Sequence, residues 1–156
     1  MEQVKNKSLA GWILFAGLLT GTFDAILALL INYKTPVIII FKFIASGLFG
    51  TAAFSMGTSA VLYGVLIHYS IAFVWTIIFF LLYPKLLAII RYRFILIITI
   101  GLVIWGGMNM AVLPLSSAHL KPFKLKGVLE NMAALILAFG LPVTVIADKF
   151  YDKQPQ

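Results

Sequence analysis

Cysteine is absent from this chain of 156 residues, and acidic residues are scarce, with five Asp and Glu against twelve Lys and Arg. The absence of cysteine excludes disulfides, thiolate nucleophiles, cysteine–metal sites and iron–sulfur clusters. The sequence also contains no phosphate-cradling loop, no His-Glu-x-x-His motif and no nucleophile elbow. Conventional ATPase, zinc protease and cysteine-nucleophile chemistries therefore have no support.

Apolar residues dominate what is present: they make up 62% of the chain, and the mean hydropathy is +1.06. Soluble domains contain about 45–50% apolar residues. Several runs reach the roughly 20 residues that a helix needs to cross a hydrocarbon core. We therefore predict an all-α integral membrane protein with a single membrane domain over 1–156. The chain has a net charge of +7, and its cationic residues lie mostly between the apolar runs. We therefore expect them to contact anionic lipid headgroups rather than nucleic acid.

Four apolar runs have the length and boundaries of transmembrane helices. The first follows two lysines and lacks a small-x-small cleavage site, so we interpret it as an uncleaved span and not as a signal peptide. Pro84 and Pro114 mark the ends of the second and third spans, and Pro142 predicts a kink in the fourth. The predicted spans cover 9–31, 58–83, 94–113 and 126–147.

The segment 36–56 is also apolar, but it carries Lys42 and many small residues. No polar loop separates it from the second span, and one helix from Pro36 to Tyr83 would be about 70 Å long, too long for a single crossing. We therefore predict an interfacial or re-entrant helix with an elbow near Gly57, which gives a four-helix transmembrane bundle with one extra helix. The alternative is a complete crossing with a very tight turn, which would give five spans.

Small residues recur at two kinds of spacing that favour close helix packing in lipid. In the first span they recur at three- and four-residue steps, which predicts one stripe facing the bundle. Three further glycines recur at seven-residue intervals, which indicates a groove for a neighbouring helix. The stripe contains Gly17, Thr20, Gly21, Asp24 and Ala28, and the seven-residue series is Gly50, Gly57 and Gly64.

Four polar side chains within the spans are the candidate site residues: Asp24, His68, Asn109 and Glu130. Counted from the side that carries the 32–57 connection, they lie about 6–15 Å deep, all in the same half of the bilayer. Ionisable groups in hydrocarbon are costly and commonly functional. We predict one shared polar pocket that opens to one leaflet.

Each of these residues also has a structural interpretation. Asp24 and His68 could simply satisfy each other in a core that fixes helix register. Asn109 could join two helices by hydrogen bonding, and Glu130 could be an N-terminal carboxylate favoured by the helix dipole. Metal binding needs several well-placed ligands, and the spans offer too few, so we predict no metal site and no cofactor.

Three functions remain open. The first is a binding or transport module whose pocket takes a proton, a small solute or a lipid headgroup. The second is a structural or assembly subunit that docks a second copy or another membrane protein. The third is an enzyme acting on a lipid or quinone, with His68 as general base and Asp24 orienting it. Because the sequence carries no second catalytic signature, we rank the enzyme last.

Between Gly64 and Asp148 the chain carries the short motifs Gly64-x-x-x-His68, Tyr83-Pro84-Lys85, Leu113-Pro114-Leu115, Pro122-Phe123 and Glu130. Together they resemble the YagU-like family of small bacterial inner-membrane proteins. The resemblance implies an inner-membrane location and does not specify a biochemical activity. It also implies a second histidine one turn after Glu130, where this chain has Ala134, so a site that needs both histidines would be incomplete.

The distribution of cations predicts the orientation. With the amino terminus inside, seven of the twelve Lys and Arg fall on the inner side and five on the outer side. Cytoplasmic loops carry an excess of Lys and Arg. We therefore predict that both termini are cytoplasmic.

Overall fold

The computed structural model describes residues 8–118 and 124–152. Within these ranges the chain is helical, with short connections and no strand. The lysines before the first span, Lys5 and Lys7, and the motif Pro122-Phe123 lie outside the described residues. The all-α prediction is therefore confirmed for the part of the chain that the structure describes.

Five helical segments of the described chain are long and apolar enough to cross a membrane. Two of them contain a π-helical turn, and one is an α-helix extended by a 3₁₀ turn. They are α1 (Leu9–Ile31), α2 (Val37–Phe49) with its 3₁₀ turn (Gly50–Phe54), α3 (Thr58–Ile90), α4 (Arg93–Leu115) and α5 (Leu125–Tyr151).

The predicted boundaries hold for α1 and nearly hold for α4 and α5, whereas the predicted end of the second span at Tyr83 is wrong. The helix α3 continues through Pro84 and ends at Ile90. A proline inside a helix frees the carbonyl four residues earlier, here that of Phe80. The hydroxyl of Tyr151 donates to this carbonyl at 3.1 Å. A side chain from α5 therefore replaces the backbone donor that Pro84 lacks, and the helix continues.

Each π turn ends two residues before a proline. The turn in α4 is Met108–Val112, before Pro114, and the turn in α5 is Ile136–Gly140, before Pro142. A proline ring clashes with the carbonyl four residues earlier, and a π turn widens the helix at that point. The distortion predicted at Pro142 thus takes the form of a π turn.

The helices α1 and α3 are antiparallel neighbours. His68, in the first third of α3, bonds to Gly21, whereas Phe73 packs against Gly17, nearer the start of α1. The connection 32–57, which includes α2, therefore begins and ends at the same end of the bundle, which we call the α2 end. At the opposite end, the terminal end, Trp12 of α1 packs against Phe150 of α5 with ring centroids 6.0 Å apart.

The helix α2 is held tightly against its neighbours at the α2 end. A Cβ at Gly64 of α3 would collide with the backbone of Phe41, so only glycine allows this approach. The amide of Ser117 donates to the carbonyl of Gly47 at 2.9 Å. At 13 residues, α2 is about 20 Å long.

The glycine series predicted as one groove serves two purposes instead. Gly50 and Gly57 have positive φ angles of 58° and 62°, a conformation that glycine adopts without steric cost. They turn the backbone on either side of the 3₁₀ segment, which confirms the predicted elbow at Gly57. Gly64 alone provides a close helix contact, because the series crosses from the connection into α3.

Candidate functional site

The candidate site is built on the interface between α1 and α3, where small residues bring the backbones together. Gly17, Thr20 and Gly21 are buried, which confirms that the predicted stripe faces the bundle. A Cβ at Gly21 would lie 2.9 Å from the ring of Tyr69. The hydroxyls of Thr20 and Thr76 lie 2.9 Å apart and give this interface one buried interhelical hydrogen bond.

The imidazole of His68 is held in place by contacts with both helices of this interface. Its Nε2 lies 2.8 Å from the carbonyl oxygen of Gly21. Because a carbonyl only accepts hydrogen bonds, Nε2 carries a proton and donates it. The ring also meets Tyr69 edge to face, with centroids 5.4 Å apart, and the Tyr69 hydroxyl bonds to that of Thr22 at 2.9 Å. These contacts fix both the tautomer and the orientation of His68.

Asp24 lies on the other side of the imidazole. Its Oδ2 is 4.0 Å from Nδ1 of His68, and the two side chains are 24% and 10% exposed, respectively. With Nε2 protonated, a neutral imidazole presents a lone pair at Nδ1, and an ionised carboxylate also offers only acceptors. Two acceptors then face each other without a donor. One added proton, on the ring or on the carboxyl group, turns this contact into a hydrogen-bonded pair.

The other two candidate residues make polar contacts within their own helices. Asn109 lies in the π turn of α4, where its Nδ2 donates to the carbonyl of Trp105 at 2.8 Å. Glu130 lies in the second turn of α5, with Oε1 3.7 Å from Nζ of Lys126. Among the residues that the structure describes, no hydrogen bond or ion pair joins Asn109 or Glu130 to the pair. The structure thus brings together Asp24 and His68, and the shared pocket of four residues stays a prediction.

A second polar cluster, at the terminal end, was not predicted. Asp148 of α5 accepts from Arg93 of α4 through both oxygens, at 2.7 Å from Nε and 2.9 Å from Nη2. Its Oδ1 also accepts from the hydroxyl of Tyr83 of α3 at 2.7 Å. In the sequence these residues are separate markers of span ends. The opposite charges of Arg93 and Asp148, at the same predicted side of the membrane, were the signal that could have identified the cluster.

No group of three His, Cys, Asp or Glu in the described ranges has the arrangement needed to hold a metal ion. Comparison with known proteins finds no matching family model, no matching curated protein and no matching solved structure. The resemblance to the YagU-like family therefore stays a prediction. The function must be argued from the geometry of Asp24 and His68.

Proposed function

We propose that this chain is a small multi-pass membrane protein whose Asp24–His68 pair binds and releases a proton as part of a binding or transport module. The observation that carries the proposal is the contact of 4.0 Å between Oδ2 and Nδ1, in a pair whose other imidazole nitrogen already donates to Gly21. Without an added proton this contact has two acceptors and no donor. With one proton, both groups are satisfied.

The proton is favoured over a larger ligand because of the short separation. A direct N–H···O bond needs about 2.7–3.2 Å between the heavy atoms, so the carboxylate has to approach by about 1 Å. A change in the side-chain torsions of Asp24, which is 24% exposed, can supply this movement. A solute placed between the two groups would instead require α1 and α3 to separate.

The groups that face His68 limit which charges can influence it. Within the described residues, its polar and ring contacts are Asp24 and Gly21 from α1 and Tyr69 on its own helix. Asp24 is the ionisable partner from a neighbouring helix. Proton binding should therefore depend on both Asp24 and His68 and on little else.

We test this proposal by measuring proton uptake in lipid nanodiscs. The background variant is His119→Gln, which leaves His68 as the only imidazole of a chain with two histidines. We expect uptake of one proton per chain as the pH is lowered. Asp24→Asn should reduce this uptake, and His68→Gln should abolish it. ¹⁵N spectra of the imidazole assign the proton to Nδ1 or to the carboxyl group.

The matched control is Asp152→Asn, which removes an exposed carboxylate at the terminal end without altering the pair. It should leave the uptake unchanged. Absence of uptake in the His119→Gln background, or uptake that persists in His68→Gln, would contradict the proposal.

The proposed topology has four crossings, formed by α1, α3, α4 and α5, with α2 interfacial or re-entrant. The antiparallel arrangement of α1 and α3 supports it, because the connection then returns to its starting side. The contact between Trp12 and Phe150 supports a topology in which the start of α1 and the end of α5 lie on the same side of the membrane. The excess of Lys and Arg on that side favours the cytoplasm, in a bacterial inner membrane.

Cysteine labelling tests this topology cleanly, because the natural chain has no cysteine. Lys34→Cys and Ser55→Cys flank α2, and Lys85→Cys lies near the opposite end. We expect an impermeant maleimide to label the first two variants from outside intact cells and the third only after permeabilisation. Labelling of Lys34→Cys and Ser55→Cys from opposite sides would instead establish five crossings.

A second candidate, a purely structural role, is favoured by one observation. The bond from Nε2 of His68 to Gly21 joins α1 to α3, as expected for a residue that fixes helix packing. In that case the His119→Gln background would take up no proton, and His68 variants would change only stability. The same uptake experiment therefore separates the two candidates.

A further inference from the structure

A cleft lies at the α2 end, between the end of α1, α2 and the 3₁₀ turn. Its volume is about 450 Å³, within the range of about 300–1,000 Å³ that is typical of small-molecule sites. It does not include Asp24 or His68. Its lining combines apolar side chains with polar ones and one glycine: Ile39, Ile40, Phe43 and Phe54 are apolar, Asn32, Thr35, Ser46 and Thr51 are polar, and Gly50 completes it.

Two cations flank this cleft. Lys34 lies between the lining residues Asn32 and Thr35 in the sequence, and its Nζ stands 5.7 Å from the centroid of the Tyr33 ring. Lys42 donates from Nζ to the carbonyl of the lining residue Phe54 at 3.1 Å. An ammonium group has three donors, so Lys42 keeps two for another partner.

Neither cation has an acidic partner in the described part of the chain. The ion pairs there are His68 with Asp24, Arg93 with Asp148 and Lys126 with Glu130. The sequence also contains no Asp or Glu between Asp24 and Glu130. An apolar cleft flanked by unpaired cations is complementary to a molecule with an anionic head and a hydrocarbon chain.

We propose that this cleft binds one anionic phospholipid, independently of the Asp24–His68 pair. The phosphate lies near Lys34 and Lys42, and an acyl chain lies against the apolar wall formed by Ile39, Phe43 and Phe54. Cations near an anionic membrane surface each contribute about 1 kcal/mol to lipid attraction, so the headgroup should determine selectivity. The apolar wall should determine how strongly any lipid is retained.

The test uses the full-length protein in nanodiscs that contain equal amounts of phosphatidylglycerol and phosphatidylcholine. Native mass spectrometry of the released protein then reports the bound lipid. We expect one retained phosphatidylglycerol per chain. Lys34→Gln and Lys42→Gln should each weaken the preference for phosphatidylglycerol by about fivefold, which corresponds to the attraction expected of one lysine. Lys85→Gln, which removes an exposed cation at the other end, is the matched control and should change nothing.

A second pair of variants tests the cleft itself. Thr51→Trp places a large ring on an exposed lining position and should displace lipids of either headgroup. Thr58→Trp, at an exposed position outside the lining, should leave retention intact, and circular dichroism checks that both variants fold. Equal retention of the two lipids by the natural chain, retention unaffected by Thr51→Trp, or displacement by inorganic phosphate alone would overturn the proposal.

Discussion

Two aspartates in this bundle differ in how completely their surroundings satisfy them. Asp148, at the terminal end, accepts three bonds of 2.7–2.9 Å from Arg93 and Tyr83. Asp24, towards the α2 end, has an ionisable partner only at 4.0 Å among the described residues, and Nε2 of that partner, His68, already donates to Gly21. A carboxylate that accepts several short hydrogen bonds holds its helices together, whereas one without such bonds retains the capacity to take up a proton. This difference favours a structural role for Asp148 and is consistent with the proton binding proposed for Asp24.

The surroundings of the two aspartates differ in the same sense. Near Asp148, the rings of Tyr83 and Tyr151 stack at 5.9 Å, and Phe80 packs against Phe150 at 5.6 Å. Near Asp24, the α1 side of the α1–α3 interface has small residues, with Gly17 against the ring of Phe73 and Gly21 against the ring of Tyr69. The aromatic contacts near Asp148 therefore join α3 to α5, whereas the contacts near Asp24 join α1 to α3.

The largest expected effect separates the two aspartates directly. Asp148→Ala leaves the buried hydroxyl of Tyr83 without its acceptor and should lower the free energy of unfolding by about 1–3 kcal/mol. Asp24→Ala breaks no short hydrogen bond and should cost less than about 0.5 kcal/mol. Reversible unfolding in mixed micelles measures both.

A double variant sharpens this result. Adding Tyr83→Phe to Asp148→Ala removes the orphaned hydroxyl and should recover part of the loss. If Asp24→Ala proved as destabilising as Asp148→Ala, the division into a structural and a chemical carboxylate would be wrong.

The next effect in size concerns the carbonyl that Pro84 frees. Tyr151→Phe removes its donor and should destabilise the bundle by about 0.5–1.5 kcal/mol. In a Pro84→Ala background the helix supplies its own backbone donor, so the same change should cost less. Equal costs in the two backgrounds would mean that the Tyr151 hydroxyl does not replace the missing backbone bond.

This bond also illustrates what could and could not be predicted from the sequence. Apolar runs determine where helices form, because the backbone in lipid must satisfy its own hydrogen bonds, and α1 was predicted to the residue. Pro84 beside a lysine has the pattern of a helix end. Whether the helix stops there depends on a donor 67 residues away in the sequence, Tyr151, and no local pattern contains that information.

The candidate site was predictable to the same degree. Counting depth along antiparallel spans placed Asp24 and His68 in one half of the membrane, and the structure brings them together. The same count placed Asn109 and Glu130 nearby, but depth says nothing about the direction in which a side chain points around the helix. Both residues have partners on their own helices. Asn109 donates to the carbonyl of Trp105, and Glu130 pairs with Lys126 one turn earlier.

The third expected effect measures the bond between His68 and Gly21. Glutamine at position 68 can still donate to the Gly21 carbonyl, whereas phenylalanine cannot. Buried polar bonds between membrane helices contribute about 0.6 kcal/mol on average, so His68→Phe should be less stable than His68→Gln by about that amount. Both variants lack the imidazole of the pair and should fail to take up the proton, so stability and proton binding are separated within one position. Equal stability of the two variants would show that Nε2 contributes nothing to packing.

The smallest effect is expected one residue further along α3. Tyr69→Phe removes the hydroxyl that bonds to Thr22 but keeps the ring that contacts His68 edge to face. Because this hydrogen bond lies at the exposed side of the interface, its loss should cost less than about 0.5 kcal/mol in unfolding. Proton uptake should be preserved, since the ring still positions the imidazole and the pair itself is intact. Tyr69→Ala, which removes the ring, should shift the uptake midpoint, and an equal shift in Tyr69→Phe would mean that the tyrosine hydroxyl belongs to the proton site.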